Sequence, residues 1–176
     1  RSYSVTGVQT CALPIFSFWN LVGAGLFGFL INPPIALYYM QGLNTTPLHG
    51  HAALFGVFGM LAIGLMLFVL KGLTIKYHWK TRMLSIAFWT MNGGLMLMLL
   101  LSLLPVGVLQ TVASIKVGMW YARSADFMQG DTMETLRWLR LIGDTVFAVG
   151  SVALALFVVG LKTGWSIDKS QKLYQD

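Results

Sequence analysis

The stretch PLHGHAA (residues 47–53) opens the longest uninterrupted apolar run in the sequence, which continues to about Leu70. A run of this length is typical of a helix that spans a membrane. Two of the three histidines of the chain, His49 and His51, lie near its start. An ionisable side chain inside a membrane helix is energetically costly, so the pair indicates a functional site.

The spacing of the two histidines predicts how they are used. Successive residues of an α-helix are rotated by about 100°, so side chains two positions apart leave nearly opposite faces. His49 and His51 are therefore poorly placed to hold one ion, unlike a pair four residues apart. The small neighbours Gly50, Ala52 and Ala53 allow bulky planar groups to approach the backbone. The pattern favours two haems flanking one helix, each with one axial histidine from it. The alternative is that both imidazoles are buried in a bundle and satisfied by hydrogen bonds.

The composition predicts an all-α integral membrane protein with about four transmembrane helices. Of the 176 residues, 56% are hydrophobic and only 10% are charged, which is typical of this class. The net charge of +6 does not indicate binding to nucleic acid, because the basic residues lie at the ends of apolar runs. Membrane lipid is the expected surrounding. Cys11 is the only cysteine, so an intrachain disulfide and a cysteine-built metal site are excluded.

The first fifteen residues, RSYSVTGVQTCALPI, differ from everything that follows. They are polar, lack a helical period and resemble a translated sequencing-adapter read. A cleaved signal peptide is the alternative, but the segment has no adequate apolar core. We therefore expect residues 1–15 to be a disordered artefact, residues 16–165 to form the membrane helices, and residues 166–176 to be a cytoplasmic tail.

The apolar runs predict four helices, over about residues 16–31, 47–70, 83–104 or beyond, and 141–161. Prolines at 33 and 34 break the chain after the first helix, and Pro105 marks a kink or the end of the third. Residues 110–140 are mixed in charge and are expected to lie at the membrane interface.

Single polar residues allow more local predictions. Thr45 or Thr46 is expected to cap the second helix, with Pro47 in its first turn. Asn92 is the strongly polar residue inside the third helix, and an interhelical hydrogen bond is its expected role. His78 is expected to be a solvated histidine of the loop over residues 71–82.

The distribution of cations predicts the orientation in the membrane. The 71–82 loop and the C-terminal tail are expected on the same side, and together they carry seven basic residues, Lys71, Lys76, Lys80, Arg82, Lys162, Lys169 and Lys172. Cytoplasmic loops of membrane proteins are enriched in such residues. The C-terminus is therefore expected in the cytoplasm and the histidine end of the helices towards the periplasm, in a multi-pass protein of the bacterial inner membrane.

Two longer stretches resemble a known family. INPPIALYYMQGLNTTPLHGHAALFGVFGMLAIGLMLF (residues 31–68) and WLRLIGDTVFAVG (residues 138–150) resemble the quinol-dependent nitric oxide reductases of the haem-copper oxidase superfamily. The likeness covers about residues 16–165 and is closer to the single-chain, quinol-fed branch than to the cytochrome c-dependent branch. It implies an all-helical bundle of the subunit I type, of which this chain is the C-terminal part.

The resemblance also implies residue roles. His49 would be the proximal ligand of the high-spin haem b at the catalytic centre, and His51 an axial ligand of the low-spin haem b that delivers electrons. The implied reaction joins two NO molecules, with two electrons from quinol and two protons, into nitrous oxide and water. The ligands of the family's non-haem iron, and the second ligand of the low-spin haem, have no counterpart here. The missing upstream helices are thus expected as partners, and this chain alone is expected to be inactive.

Arg137 and Arg140 are candidate haem-binding residues, because they precede the fourth helix on the side of the histidines. Haem propionates are anionic, and a guanidinium pairs with carboxylates in a fork geometry. Anchoring to lipid headgroups is the alternative. For Asp144 the alternatives are a cap of the fourth helix and a polar network with these arginines.

Two other functions remain open from the sequence. A terminal oxygen reductase of the same superfamily also places a His-x-His motif on this helix. A transporter or structural membrane bundle would use the histidines without haem.

Overall fold

The computed structural model of the chain describes residues 14–172, with only the backbone for residues 169–172. The first helix begins at Pro14, and Ile15 packs against the main core cluster. The helix thus extends two residues into the segment predicted to be foreign. Residues 1–13 lie outside the described residues, so the prediction that they are an artefact stays a prediction.

The described chain is almost entirely helical. The helices are α1 (Pro14–Ile31), α2 (Pro34–Met40), α3 (Thr45–Leu73), α4 (Arg82–Lys116), α5 (Ala125–Met128), α6 (Asp131–Trp138) and α7 (Arg140–Thr163). There are also two short strands, β1 (Tyr77–Trp79) and β2 (Ile167–Lys172). Four helical stretches are long and apolar enough to cross a membrane, namely α1, α3, α4 and the combined α6 and α7. This confirms the predicted all-α membrane fold.

Helices α1 and α3 pack closely through wide, π-helical turns. These turns span Trp19–Leu26 in α1 and Ala52–Gly59 in α3, and they lie against each other. A Cβ atom on Gly56 would come within 2.6 Å of the Trp19 ring, and one on Gly23 within 2.6 Å of the Ala52 side chain. Glycine at both positions is therefore what allows α1 to approach the helix that carries the histidines.

Helix α4 continues through Pro105 instead of ending there. A third π-helical turn, Leu99–Leu103, immediately precedes the proline. Because proline donates no backbone hydrogen bond and its ring crowds the preceding turn, a widened turn accommodates it without a break. The helix then runs to Lys116. Residues 110–116, predicted to be interfacial, thus belong to the long helix, where Gln110, Ala113 and Ser114 are buried.

The main core lies between α1, α3 and α4. Its buried residues are Trp19, Leu48, Ala52, Val57, Leu95, Met98, Leu99 and Leu103. Within it, Trp19 Nε1 donates a hydrogen bond of 2.9 Å to Asn92 Oδ1. The Asn92 amide also donates to the Phe88 carbonyl, at 2.8 Å. The interhelical role predicted for Asn92 is confirmed.

The start of α3 is held by side chains from other parts of the chain. Neither threonine caps it; the cap position falls on Asn44, and no side-chain cap bond forms. The predicted threonine cap is thus wrong. Gln110 of α4 instead accepts from the Asn44 backbone and side-chain amides, at 2.9 and 2.8 Å. The Arg123 guanidinium donates to the Gln41 carbonyl. These bonds fix the connection that leads into the histidine helix.

The end of the bundle opposite the histidines is closed by a two-stranded antiparallel sheet. Helix α7 ends at Gly164, which has a φ of 87°, a left-handed conformation that glycine adopts readily. The chain then turns back, and β2 pairs with β1 with His78 beside Asp168 and Trp79 beside Ile167. The loop and tail therefore lie on one side, as the charges predict. His78 is half-buried in a strand, not a free loop residue, and the sequence did not predict this sheet.

Candidate functional site

His49 lies at the contact between α3 and α1. Its Nδ1 is 2.9 Å from the Gly23 carbonyl oxygen. A Cβ atom on Gly28 would lie only 2.9 Å from the imidazole Cε1, so the ring rests on bare backbone of α1. Because a carbonyl only accepts hydrogen bonds, Nδ1 must carry the proton of the neutral ring. The lone pair then resides on Nε2, the atom that a metal would need.

His51, on another side of the helix, also has its Nδ1 hydrogen-bonded to a backbone carbonyl. Its Nδ1 donates to the Pro47 carbonyl, at 2.8 Å and one turn earlier in α3. Its Nε2 accepts from the Arg140 guanidinium of α7, at 3.2 Å. The ring also lies 5.6 Å from Phe55, centroid to centroid. The lone pair of His51 is again on Nε2, and it points towards α7.

The two imidazoles therefore serve different neighbours. His49 contacts α1 and His51 contacts α7, as their two-residue spacing predicts. Both lie in the first two turns of α3, at one end of the bundle. Each offers one nitrogen lone pair, and the two face different helices. The arrangement can supply one axial ligand to each of two separate groups and cannot easily supply two ligands to one.

Arg140 joins His51 to an acid. Its Nε lies 3.2 Å from the Asp144 carboxylate, one helical turn later in α7, and both side chains are partly exposed. Of the two roles considered for Asp144, the structure shows the polar network. The cap position of α7 falls on Leu139, where no side-chain cap bond forms.

A cavity of about 390 Å³ opens beside this network. Its lining residues come from several elements and are Asn44, Ser102, Leu103, Val106, Met128, Glu134, Arg137, Trp138 and Arg140. Arg137 reaches it while donating to the Met128 carbonyl, at 3.3 Å. Both arginines singled out from the sequence thus line one space at the histidine end. Two cations beside a cavity of this size suit a ligand carboxylate, although Glu134 already offsets one charge.

Sequence reasoning missed Glu134 and Trp138 as members of this cavity. A signal was present, because residues 134, 137 and 138 are spaced by three and four positions and so share one helix face. The contributions of Asn44 and Ser102 carried no such signal, since they depend on how α3 and α4 pack.

The described residues contain no group of three His, Cys, Asp or Glu side chains placed to hold a metal ion. The donor set of residues 14–172 therefore does not fit an ion bound entirely by protein side chains. It fits a metal-containing cofactor that takes one imidazole from this helix and already supplies most of the ligands of its metal. Haem is such a group, since the porphyrin supplies the equatorial nitrogens and the protein the axial ligand.

A family model and a known protein each match this chain over most of its length. The family model described as "Cytochrome C and Quinol oxidase polypeptide I" matches residues 4–146. A protein of Stutzerimonas stutzeri named as a nitric oxide reductase subunit is 27% identical to this chain over 142 residues. The alignment covers 74% of this chain and 28% of that protein. The chain therefore spans little more than a quarter of the relative's length.

Proposed function

The chain belongs to the cytochrome c and quinol oxidase polypeptide I family, that of the haem-copper oxidase subunit I, and from this membership we propose that it is part of a membrane nitric oxide reductase. The reaction is the reduction of NO to nitrous oxide with electrons from quinol. The family is one of membrane oxidoreductases with haem and metal cofactors. The likeness to a protein named as a nitric oxide reductase subunit supports the choice of substrate.

The observation that carries the haem-binding part of the proposal is the shared hydrogen-bonding pattern of the two imidazoles. Each has its Nδ1 bound to a backbone carbonyl, which fixes the tautomer and orients the ring. In the proposal His49 holds the high-spin haem b and His51 the low-spin haem b through Nε2. When bound, the haems supply the path for electrons and the iron at which NO is reduced. By accepting from Nδ1, the carbonyls of Gly23 and Pro47 leave the lone pair of each ring on Nε2.

Arg137 and Arg140 are proposed to bind haem propionates. Both line the cavity at the histidine end, and a guanidinium offers paired donors to a carboxylate. Arg140 now donates to His51 Nε2. If His51 Nε2 bound haem iron, it could no longer accept from Arg140. The Arg140 guanidinium would then be available to a haem propionate. The salt bridge with Asp144 would keep the side chain near the site.

The rest of the active site is proposed to lie outside the described residues. Residues 14–172 hold no cluster of three possible metal-binding side chains, so the ligands of a non-haem iron are assigned to helices upstream of this chain. The second axial ligand of the low-spin haem is assigned there too. We accordingly propose that this chain holds half of the electron path and is inactive alone. We also propose a bacterial inner-membrane location with the sheet of β1 and β2 in the cytoplasm, and the charge distribution supports this orientation.

A terminal oxygen reductase is the second candidate, and the name of the matching family model favours it. The histidine geometry suits both reactions equally, because both need one haem on each face of α3. A transporter or a structural bundle is less well supported, since it gives no reason for the shared tautomer of the two imidazoles.

The proposal is tested on the full-length protein purified with its cofactors. NO and O₂ consumption are measured with electrodes, using a quinol or reduced cytochrome c as the electron donor. We expect rapid NO consumption with quinol, nitrous oxide as product, and slow O₂ consumption. Faster O₂ than NO reduction would establish the oxygen reductase instead. Activity with cytochrome c alone would contradict the proposed donor but leave the reaction standing.

A further inference from the structure

Seven of the twelve Lys and Arg residues of the sequence lie in two segments at the end opposite the histidines. The sheet brings the 71–82 loop and the tail together, and these segments contribute seven cations, Lys71, Lys76, Lys80, Arg82, Lys162, Lys169 and Lys172. Asp168 is the only acidic residue in the two segments, 71–82 and 162–172. The pairing therefore gathers like charges that are distant in sequence.

Three of these cations are open to the surroundings. Lys76, Lys80 and Arg82 are exposed, and none of the three forms a salt bridge with a described side chain. The salt bridge of Arg140 lies at the other end of the bundle. Like charges gathered at one end repel one another, and this opposes the pairing of β1 with β2, although Trp79 and Ile167 pack against a core cluster of α3 and α7. An external anion beside the cations would offset the repulsion.

Aromatic side chains around the sheet favour the level where such anions occur in a membrane. Trp79 packs edge-on against Phe157 of α7, at 5.3 Å between ring centroids, and the Lys71 ammonium lies 5.2 Å above its ring. Tyr77 and Trp165 are exposed beside the strands, by 38% and 47%. Tyrosine and tryptophan are enriched at the headgroup level of bilayers. The aromatic residues therefore favour a position of the sheet near the lipid phosphates.

We propose that the exposed cations beside the sheet of β1 and β2 bind the phosphate of an anionic phospholipid, and that this lipid holds the tail strand on the loop. The described side chains of this site are Lys76, Lys80, Arg82 and Lys162. Lys80 is central to the site. Its backbone N–H donates to the Ser166 carbonyl, at 2.8 Å, while its side chain is exposed and makes no polar contact with described residues. Replacing the side chain therefore removes a charge and leaves the strand pairing bonds in place. The site is independent of the haem proposal.

The binding test is a lipid titration of the full-length protein in detergent, followed by native mass spectrometry. The probes are phosphatidylglycerol, phosphatidylcholine and inorganic phosphate. We expect the first phosphatidylglycerol to bind more tightly than phosphatidylcholine, and inorganic phosphate not to displace it. Lys80→Gln should weaken this binding about fivefold, the effect of one cation near an anionic surface. Lys116→Gln is the matched control, since Lys116 is an exposed lysine at the histidine end and should leave the affinity unchanged.

A second measurement follows the sheet itself. In nanodiscs, hydrogen exchange of the Lys80 amide should be slower with phosphatidylglycerol present than with phosphatidylcholine alone, and Lys80→Gln should reduce that difference. Four results would each overturn the proposal. They are equal affinity for the two lipids, equal loss of phosphatidylglycerol affinity in the Lys80 and Lys116 variants, displacement of the lipid by free phosphate, and a rate of hydrogen exchange that does not depend on the lipid. Displacement by free phosphate would identify a simple anion site, not a lipid site.

Discussion

Gly94 of α4 and Gly143 of α7 meet backbone to backbone, each occupying the space that a Cβ atom on the other would need. A Cβ on Gly94 would lie 2.8 Å from the Gly143 carbonyl oxygen, and a Cβ on Gly143 would lie 2.8 Å from that of Gly94. Each would also overlap a backbone nitrogen of the opposite helix, of Phe147 or Met98. Such contacts are typical of membrane helices that associate through small residues. The position of α7, and with it of Arg140, depends on this crossing.

We therefore expect Gly94→Ala to destabilise the protein by about 1–3 kcal/mol, because the helices must separate to admit one methyl group. The measurement is the thermal unfolding midpoint in detergent. Gly93→Ala is the control, since a Cβ atom on Gly93 meets nothing within 4 Å. Equal midpoints for the two variants would show that the crossing is looser than described.

Replacing the two histidines in the full-length protein should give different defects. Under the proposed roles, His49→Ala is expected to remove the high-spin haem signal and all NO reduction, since the catalytic iron would lose its protein ligand. His51→Ala is expected to change the low-spin spectrum and to stop electron delivery from quinol. Axial ligands determine haem spin state and potential, so absorption and paramagnetic resonance spectra distinguish the cases. Loss of the same haem in both variants would contradict the assignment of one haem to each face.

Arg140→Gln should lower the midpoint potential of the haem that His51 is proposed to hold. A nearby cation disfavours the more positive, oxidised iron, so removing it favours oxidation. A tenfold change in the balance of the two states corresponds to about 59 mV, and a shift of this order is expected in a redox titration. Arg137→Gln should have a smaller effect, because Arg137 lines the same cavity without contacting His51. Equal shifts would point to a general charge effect.

The hydrogen bond between Trp19 and Asn92 should contribute measurably to the packing of α1 on α4. A double-mutant cycle with Trp19→Phe and Asn92→Ala isolates it, with unfolding followed in mixed detergent. Interhelical hydrogen bonds in membranes contribute about 0.6 kcal/mol on average and about 1.7 kcal/mol at most, and we expect a value in this range. Additive effects of the two substitutions would mean that the bond does not couple the helices.

Features that depend on one helix alone were predictable from the sequence. The four apolar runs, the opposite directions of His49 and His51 and the buried role of Asn92 all follow from helical periodicity and hydropathy. The contact of both arginines with one cavity was partly predictable, because position alone placed them at the histidine end.

Features that depend on contacts between distant segments were not predictable. Asn44 is the cap position of α3, and its amides donate to Gln110, sixty-six positions later. No local pattern indicates this contact. The Gly23 carbonyl that orients His49 lies on another helix. The pairing of β1 with β2 joins two segments too short and too polar to be recognised as strands. The continuation of α4 past Pro105 depends on a widened turn that hydropathy does not detect.

The pairing of the tail with the loop imposes an order on biosynthesis. β1 leaves the ribosome before α4, α6 and α7, and β2 only after them. The segment of β1 is therefore unpaired while the intervening helices enter the membrane. It becomes paired only when α7 has crossed and returned the chain to the same side. Protection of Tyr77–Trp79 from proteases is thus a marker of completed insertion. It can be measured by proteolysis during cell-free translation in the presence of membranes.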